Sequence, residues 1–421
     1  MTSPNRGLPR QVAYLIKWVI LALLIGSLAG ALIWVMQSGV TALSDLNRSP
    51  YPYNCLFPIL AGFIVGFVIH RIDPVASGEG GPVYIHSAQR RGGYLEPRTV
   101  LLYLVGVIVV LGLGGSGGFV GPACLVCGGA GGFLFRKLRF LSRLLRFRKA
   151  DLRLATVCGA GAGVAAVLDA PIGGGIFAVE VLYAASIEYE GVFPAVLASI
   201  TGYSVHSLMS GGFGSPYRHG TLAFSPTLMP GLLLMAVLAG LLGILFVVSF
   251  KKVFDTFQKL SRWGGWRPVV GGLVCAVVGI ALRGRTLGPG RDIFMEIVNP
   301  GIALPLSLLV LILVGKIVSN TFTVGSGNPA GVTLPVLMIG AAAGNIVASL
   351  LHASDPAHHI AFVATGMAGM LAAVLNVPIA AMIILIEMFG TSYAVPAVLG
   401  SIIAFTIARS EVVYRYLETE E

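Results

Sequence analysis

The stretch GGSGGFVGP, from Gly114 to Pro122, interrupts an apolar segment with glycines and reopens it on a proline. In chain order it is the second of three such breaks: the first is VASGEGGP, from Val75 to Pro82, and the third, a near-copy, is VGSGNPAGVTLP, from Val324 to Pro335. Each joins glycines to a proline at the start of an apolar stretch. Proline suits the first turn of a helix, and glycine lets backbone come close to a ligand. Helix N-termini carry free N–H groups and about half a positive charge. Several such ends aimed at one point form an anion site that needs no lysine or arginine to trap the ion.

The surrounding composition says where these breaks lie. The chain has 421 residues, 56% hydrophobic and only 11% charged, with a mean hydropathy of +0.87. A soluble domain carries about 25% charged residues. Apolar runs recur from end to end, some too short for a full span and several interrupted by glycine. The expectation is an all-α polytopic membrane protein of tilted and broken helices. No strand-like alternation appears, which argues against a β-barrel. Non-helical backbone inside a membrane is tolerated only where it is buried in protein or lines a cavity. The breaks are therefore expected at a pathway.

Net charge is +10, but the basic residues cluster between apolar runs and do not form a nucleic-acid surface. Arg6, Arg10 and Lys17 lie near the N-terminus. Arg136, Lys137, Arg139, Arg143, Arg146, Arg148, Lys149 and Arg153 crowd one linker, and Lys251, Lys252, Lys259, Arg262 and Arg267 another. The excess of such residues on cytoplasmic loops places these segments, and both termini, inside the cell, against anionic lipid. The first apolar run lacks a small-residue cleavage site and reads as a span. Cys55, Cys124, Cys127, Cys158 and Cys275 sit in or beside apolar segments and read as packing residues. His352, His358 and His359 flank a polar loop without metal-type spacing. No clustered His, Asp or Glu suggests an enzyme, and no metal or cofactor is expected.

The chain repeats itself at an offset of about 207 residues: GAGVAAVLDAPIGGGIFAVEV (161–181) matches MAGMLAAVLNVPIAAMIILIEM (367–388). Asp169 pairs with Asn376, Pro171 with Pro378 and Glu180 with Glu387. Asp169 and Asn376 precede prolines and suit turns or helix starts. Glu180 and Glu387, acids inside long apolar helices, read as capping groups at equivalent positions. A single membrane domain over 1–421 is expected, with repeat halves at about 20–209 and 227–416.

Taken in order, these motifs resemble those of the CLC family of chloride channels and chloride/proton antiporters, over about residues 20–416. The family's GSGIP corresponds to Ala76-Ser77-Gly78-Glu79-Gly80, its G(K/R)EGP to Gly118-Phe119-Val120-Gly121-Pro122, and its GGxFxP to Ala330-Gly331-Val332-Thr333-Leu334-Pro335. Tyr414 matches the family's pore tyrosine by its spacing from the last apolar helix. The resemblance implies a CLC-type fold of two inverted-topology repeats and a homodimer with one pore per subunit, in the inner (plasma) membrane. Chloride, as transported ligand, would meet Ser77 and Tyr414 hydroxyls and backbone around Gly78, Phe119, Val120, Gly121, Val332 and Thr333. No cytoplasmic regulatory domain is expected after Tyr414.

The departures from the family pattern bear on mechanism. The family's gating glutamate is here Val120, and its inner proton acceptor is Val181. With both positions apolar, the expectation is a passive anion channel without proton coupling. An antiporter using other acids, such as Glu79 or Glu180, and a fluoride-conducting relative are the alternatives. Glu79 itself is expected to turn away at the cytoplasmic surface. Thr333, where the family usually has Phe, would donate a hydroxyl or widen the pore.

Overall fold

The computed structural model describes residues 10–46, 49–138, 147–148, 150–182, 189–212, 217, 220–353, 355–409 and 412–414. Arg6, Arg139, Arg143, Arg146 and Lys149 of the basic clusters lie outside the described residues. The helices, in chain order, are α1 (Arg10–Leu46), α2 (Phe57–Ile64, carried on to Ile72 through a π-turn), α3 (Gly80–Arg90), α4 (Pro97–Gly112), α5 (Val120–Lys137), α6 (Asp151–Leu168), α7 (Pro171–Glu180), α8 (Tyr189–Ser210), α9 (Met229–Lys259), α10 (Trp266–Ala281), α11 (Arg291–Val298), α12 (Leu306–Gly325), α13 (Thr333–Leu350), α14 (Pro356–Leu375), α15 (Pro378–Phe389) and α16 (Ala394–Ala408). Nine helical stretches among the described residues are long and apolar enough to cross a membrane; α4, α10 and α15 are apolar but shorter. No strand occurs among the described residues; one isolated antiparallel bridge joins Gly118 to Gly331.

Local sequence explains where the helices stop. Asp169 and Asn376 end α6 and α14 in the left-handed conformation, at φ 54° and 61°. Asp and Asn accept that conformation more readily than other side-chain-bearing residues. Two residues on, Pro171 and Pro378 start α7 and α15 at the position where the missing N–H costs nothing. The two halves thus make the same bend with the same chemistry. Asp355 caps α14 by accepting from the Ala357 N–H at 2.8 Å, so His358 and His359 belong to that helix's first turn.

The packing carries the same duplication. Helix α5 runs along α6 in the first half, α13 along α14 in the second, and α7 meets α15 between them. All five cysteines are free and buried. Lys17, read above as part of a surface cluster, is instead buried on α1 and paired with Asp151 at 2.8 Å. An ammonium taken out of water needs such a partner.

Candidate anion site

The three glycine breaks meet. Gly118 N–H donates to the Gly331 carbonyl (2.8 Å) and Gly331 N–H donates back to Gly118 (2.9 Å). Gly78 N–H donates to the Gly327 carbonyl (2.9 Å), and Ala330 N–H to the Gly78 carbonyl (3.3 Å). The third break is therefore the hub that holds the other two. Gly78 stands at φ +72°, which a side chain would strain. Its carbonyl also accepts from the Tyr103 hydroxyl at 2.9 Å. These bonds satisfy backbone that leaves helical geometry in the interior of a membrane domain.

From this knot three helices start: α3 at Gly80, α5 at Val120 and α13 at Thr333. Their N-termini bring free N–H groups to one region. A carboxylate already stands there, that of Glu79. Glu79 is 6% exposed and is the N-cap of α3. Its side chain accepts from the Gly81 N–H and lies within electrostatic reach of the Val332 backbone, and the Tyr414 hydroxyl lies 3.5 Å from Oε1. A Cβ on Gly121 would fall 1.8 Å from Glu79 Oε1. Only glycine at 121 admits the carboxylate. The expectation that Glu79 turns away at the cytoplasmic surface is thus corrected: as an N-cap, its carboxylate is drawn to the free N–H groups of its own helix. Arg90 and Arg91 lie exposed at the other end of α3.

The remaining candidate residues fall around this point. Tyr414 is 4% exposed. Val332 and Thr333 are fully buried at the start of α13, and the Thr333 hydroxyl has no hydrogen-bond partner of good geometry while lying within electrostatic reach of Tyr414. Val120 is fully buried as the first residue of α5, and Phe119 caps it. Ser77 is half-buried, and its hydroxyl donates to the Pro74 carbonyl rather than toward the carboxylate. Val181 is half-buried just after α7, its N–H bonded to the Phe177 carbonyl.

Two cavities approach the knot from opposite ends of α10. The larger, about 1410 Å³, is lined by Phe119, Gly288 and Leu334 and by Arg283 beyond the end of α10. The smaller, about 210 Å³, is lined by Ser77, Glu79 and Gly327 and by Arg267 at the start of α10. Arg267 Nε is buried without a hydrogen-bond partner. Phe119 faces one cavity and Glu79 the other, with the knot between.

Two residues that were not singled out in the sequence hold this geometry. Lys316, fully buried on α12, donates its Nζ to the carbonyls of Thr286 and Gly288, both at 3.1 Å. One turn later Asn320 donates Nδ2 to the Ser116 carbonyl (3.1 Å) and the Gly331 carbonyl (3.4 Å). Gly288 in turn accepts from Gly117 N–H. Helix α12 therefore pins the second and third breaks together, with a cation set behind them. A lysine inside an apolar helix is a functional suspect by position alone, and that signal was present in LILVGKIVSN.

Glu180 and Glu387 cap each other's repeat. Glu180 accepts from the N–H groups of Ile379 (2.9 Å) and Ala380 (2.6 Å) at the start of α15. Glu387 accepts from Ile172 (2.9 Å) and Gly173 (2.8 Å) at the start of α7. The C-terminal acid of each helix sits on the N-terminus of the other, so α7 and α15 run antiparallel to each other. An axis perpendicular to both helices relates such a pair, as inverted repeats require.

A family profile described as voltage gated chloride channel matches residues 61–409. The chain is 28% identical over 412 residues to the chloride/fluoride channel protein of Pseudomonas syringae pv. tomato, covering 95% of this chain and 86% of that one. It is 25% identical over 373 residues to the H(+)/Cl(-) exchange transporter ClcA of Yersinia pseudotuberculosis, covering 84% and 75%. Among solved structures, a CLC-type fluoride/proton antiporter superposes with a TM-score of 0.81 at 21% identity, covering 96% of this chain and 98% of that one.

Proposed function

The chain belongs to the voltage-gated chloride channel family, and from that premise we propose that it is a passive pathway for chloride and similar small anions, not coupled to protons. The observation that carries the reading is the convergence of three helix N-termini on one buried point between two cavities. Oriented N–H groups replace an anion's water without holding it by a full charge. The second signature carries no acid, because the gating position is Val120, and the inner relay position is Val181. A carboxylate that lines the smaller cavity has no titratable side chain at Val120 beyond it to receive its proton.

The protein acts as a multi-pass membrane protein of the bacterial type, with the basic segments and both termini cytoplasmic, so that the smaller cavity opens inward. Its two repeat halves span about 20–209 and 227–416, and it works as a homodimer with one pathway per subunit and no cofactor. Exposed apolar side chains beside the α7–α15 pair, among them Ile172, Phe193 and Ile402, support such an interface. Fluoride is a second permeant candidate, because the Pseudomonas relative is named for both halides.

The test records anion and proton movement together in liposomes holding a chloride gradient. The expected result is anion efflux without uphill proton movement, and a reversal potential set by the anion gradient alone. A reversal potential that moves with the proton gradient at a fixed ratio would show an antiporter. Substituting fluoride for chloride in the same vesicles measures the second candidate.

A further inference from the structure

We propose that Glu79 is the gate of this pathway, a carboxylate tethered on the first break that occupies the anion's place and must be neutralised or withdrawn for an anion to pass. The proposal rests on the anion-pathway reading above and adds its regulation. The groups that would hold a permeating anion are the N–H groups at the α3, α5 and α13 N-termini and the Tyr414 hydroxyl. Glu79 already uses the Gly81 N–H and occupies the neighbourhood of the Val332 backbone and of Tyr414. Its Oε1 fills the space where Gly121 lacks a side chain. A carboxylate is chemically the same ligand to these donors as an anion, so the two cannot share them. An ionised Glu79 also repels an approaching anion at close range, in surroundings where water does not screen the charge.

The side chain has somewhere to go. Glu79 lines the smaller cavity together with Arg267, whose Nε is unpartnered. The guanidinium is the cation that offers a withdrawn carboxylate a second resting place. The other titratable groups near Glu79 are the Tyr414 and Tyr103 hydroxyls and the Cys124 thiol. None of them supplies a positive charge that would hold Glu79 ionised in the site. Protonation therefore releases the block, and protons reach Glu79 from the smaller cavity.

Chloride efflux from liposomes, measured as pH falls from about 7.5 to 4.5, tests this. Wild-type flux should rise with acidity, by up to about tenfold per pH unit while one carboxylate controls passage. Glu79→Gln keeps the oxygen that accepts from Gly81 but carries no charge. Its flux at neutral pH should match the wild type's acid level and stay flat with pH. A flat wild-type profile overturns the gate, and that measurement needs no variant to fold. A Glu79→Gln protein that elutes as the wild type does and keeps the wild-type pH profile overturns it equally. Failure of the pathway reading looks different: no anion flux from either protein at any pH.

Discussion

In a chain already freed of its native carboxylate by Glu79→Gln, Val120→Glu should close the pathway at neutral pH and reopen it in acid. Val120 is the first residue of α5, fully buried, with Gly121 next to the site in which the Glu79 carboxylate lies. A carboxylate placed there would find the free N–H groups of the first turn of α5 and imitate the anion that those groups would bind. In the otherwise native chain two carboxylates would contend for one set of donors, and two like charges at such range cannot both stay ionised. The clean experiment is therefore made in the Glu79→Gln background. There the single variant should conduct at all pH values. The added Val120→Glu should lower flux by about tenfold or more near pH 7, with recovery as the pH falls toward about 4. Val120→Ala, which adds no charge and opens space, should leave flux largely intact in either background. If Val120→Glu flux is as independent of pH as its parent's, residue 120 does not face the anion, and the correspondence of the second break with the family's gating motif is wrong.

The elements that were legible in the sequence are those decided by local chemistry. Asp169-Ala-Pro171 and Asn376-Val-Pro378 announce a left-handed stop followed by a proline start, and the structure bends there twice in the same way. The glycine breaks could be read as helix openings, because glycine and proline have few other uses in an apolar run. What could not be read is what each break touches. The Glu79 side chain is placed by Gly121, 42 residues onward, and by Val332 and Tyr414, far beyond. Gly81, two residues on, was visible as one wall of its cavity, but Gly121, which leaves the room its carboxylate fills, was not, so a surface position was the natural expectation. The reverse holds for Ser77. Its hydroxyl satisfies the carbonyl of Pro74, three residues back, a local bond that competes with any role toward an ion. Lys316 and Asn320 were visible as polar residues one turn apart in an apolar helix. Their acceptors are backbone carbonyls of loops 11 to 204 residues away, and carbonyls have no sequence signature.

Removing the acid at Glu180 should destabilise the fold before it alters transport. Two readings of an intramembrane acid compete: a proton carrier, and a cap for a helix that starts inside the protein. The geometry separates them. Glu180 is 5% exposed, and both its oxygens are taken by the Ile379 and Ala380 N–H groups. Glu387 does the same for Ile172 and Gly173, from a less buried position. Neither acid is among the residues that line the two cavities. Glu180→Ala orphans two N–H groups where water does not replace the cap, at roughly 1–3 kcal/mol for each buried donor left unpaired. Glu180→Gln retains one acceptor oxygen and should lose less. Glu387→Ala should cost less than Glu180→Ala, because its partners are nearer the surface. Thermal unfolding of the purified protein in detergent would give the order, with Glu180→Ala melting lowest of the three. Flux per folded protein should remain close to wild type in Glu180→Gln, with the same pH dependence. A Glu180→Gln variant that melts as the wild type does but loses anion flux or its pH response would make Glu180 part of the transport path, and the symmetry of the two caps would then be incidental.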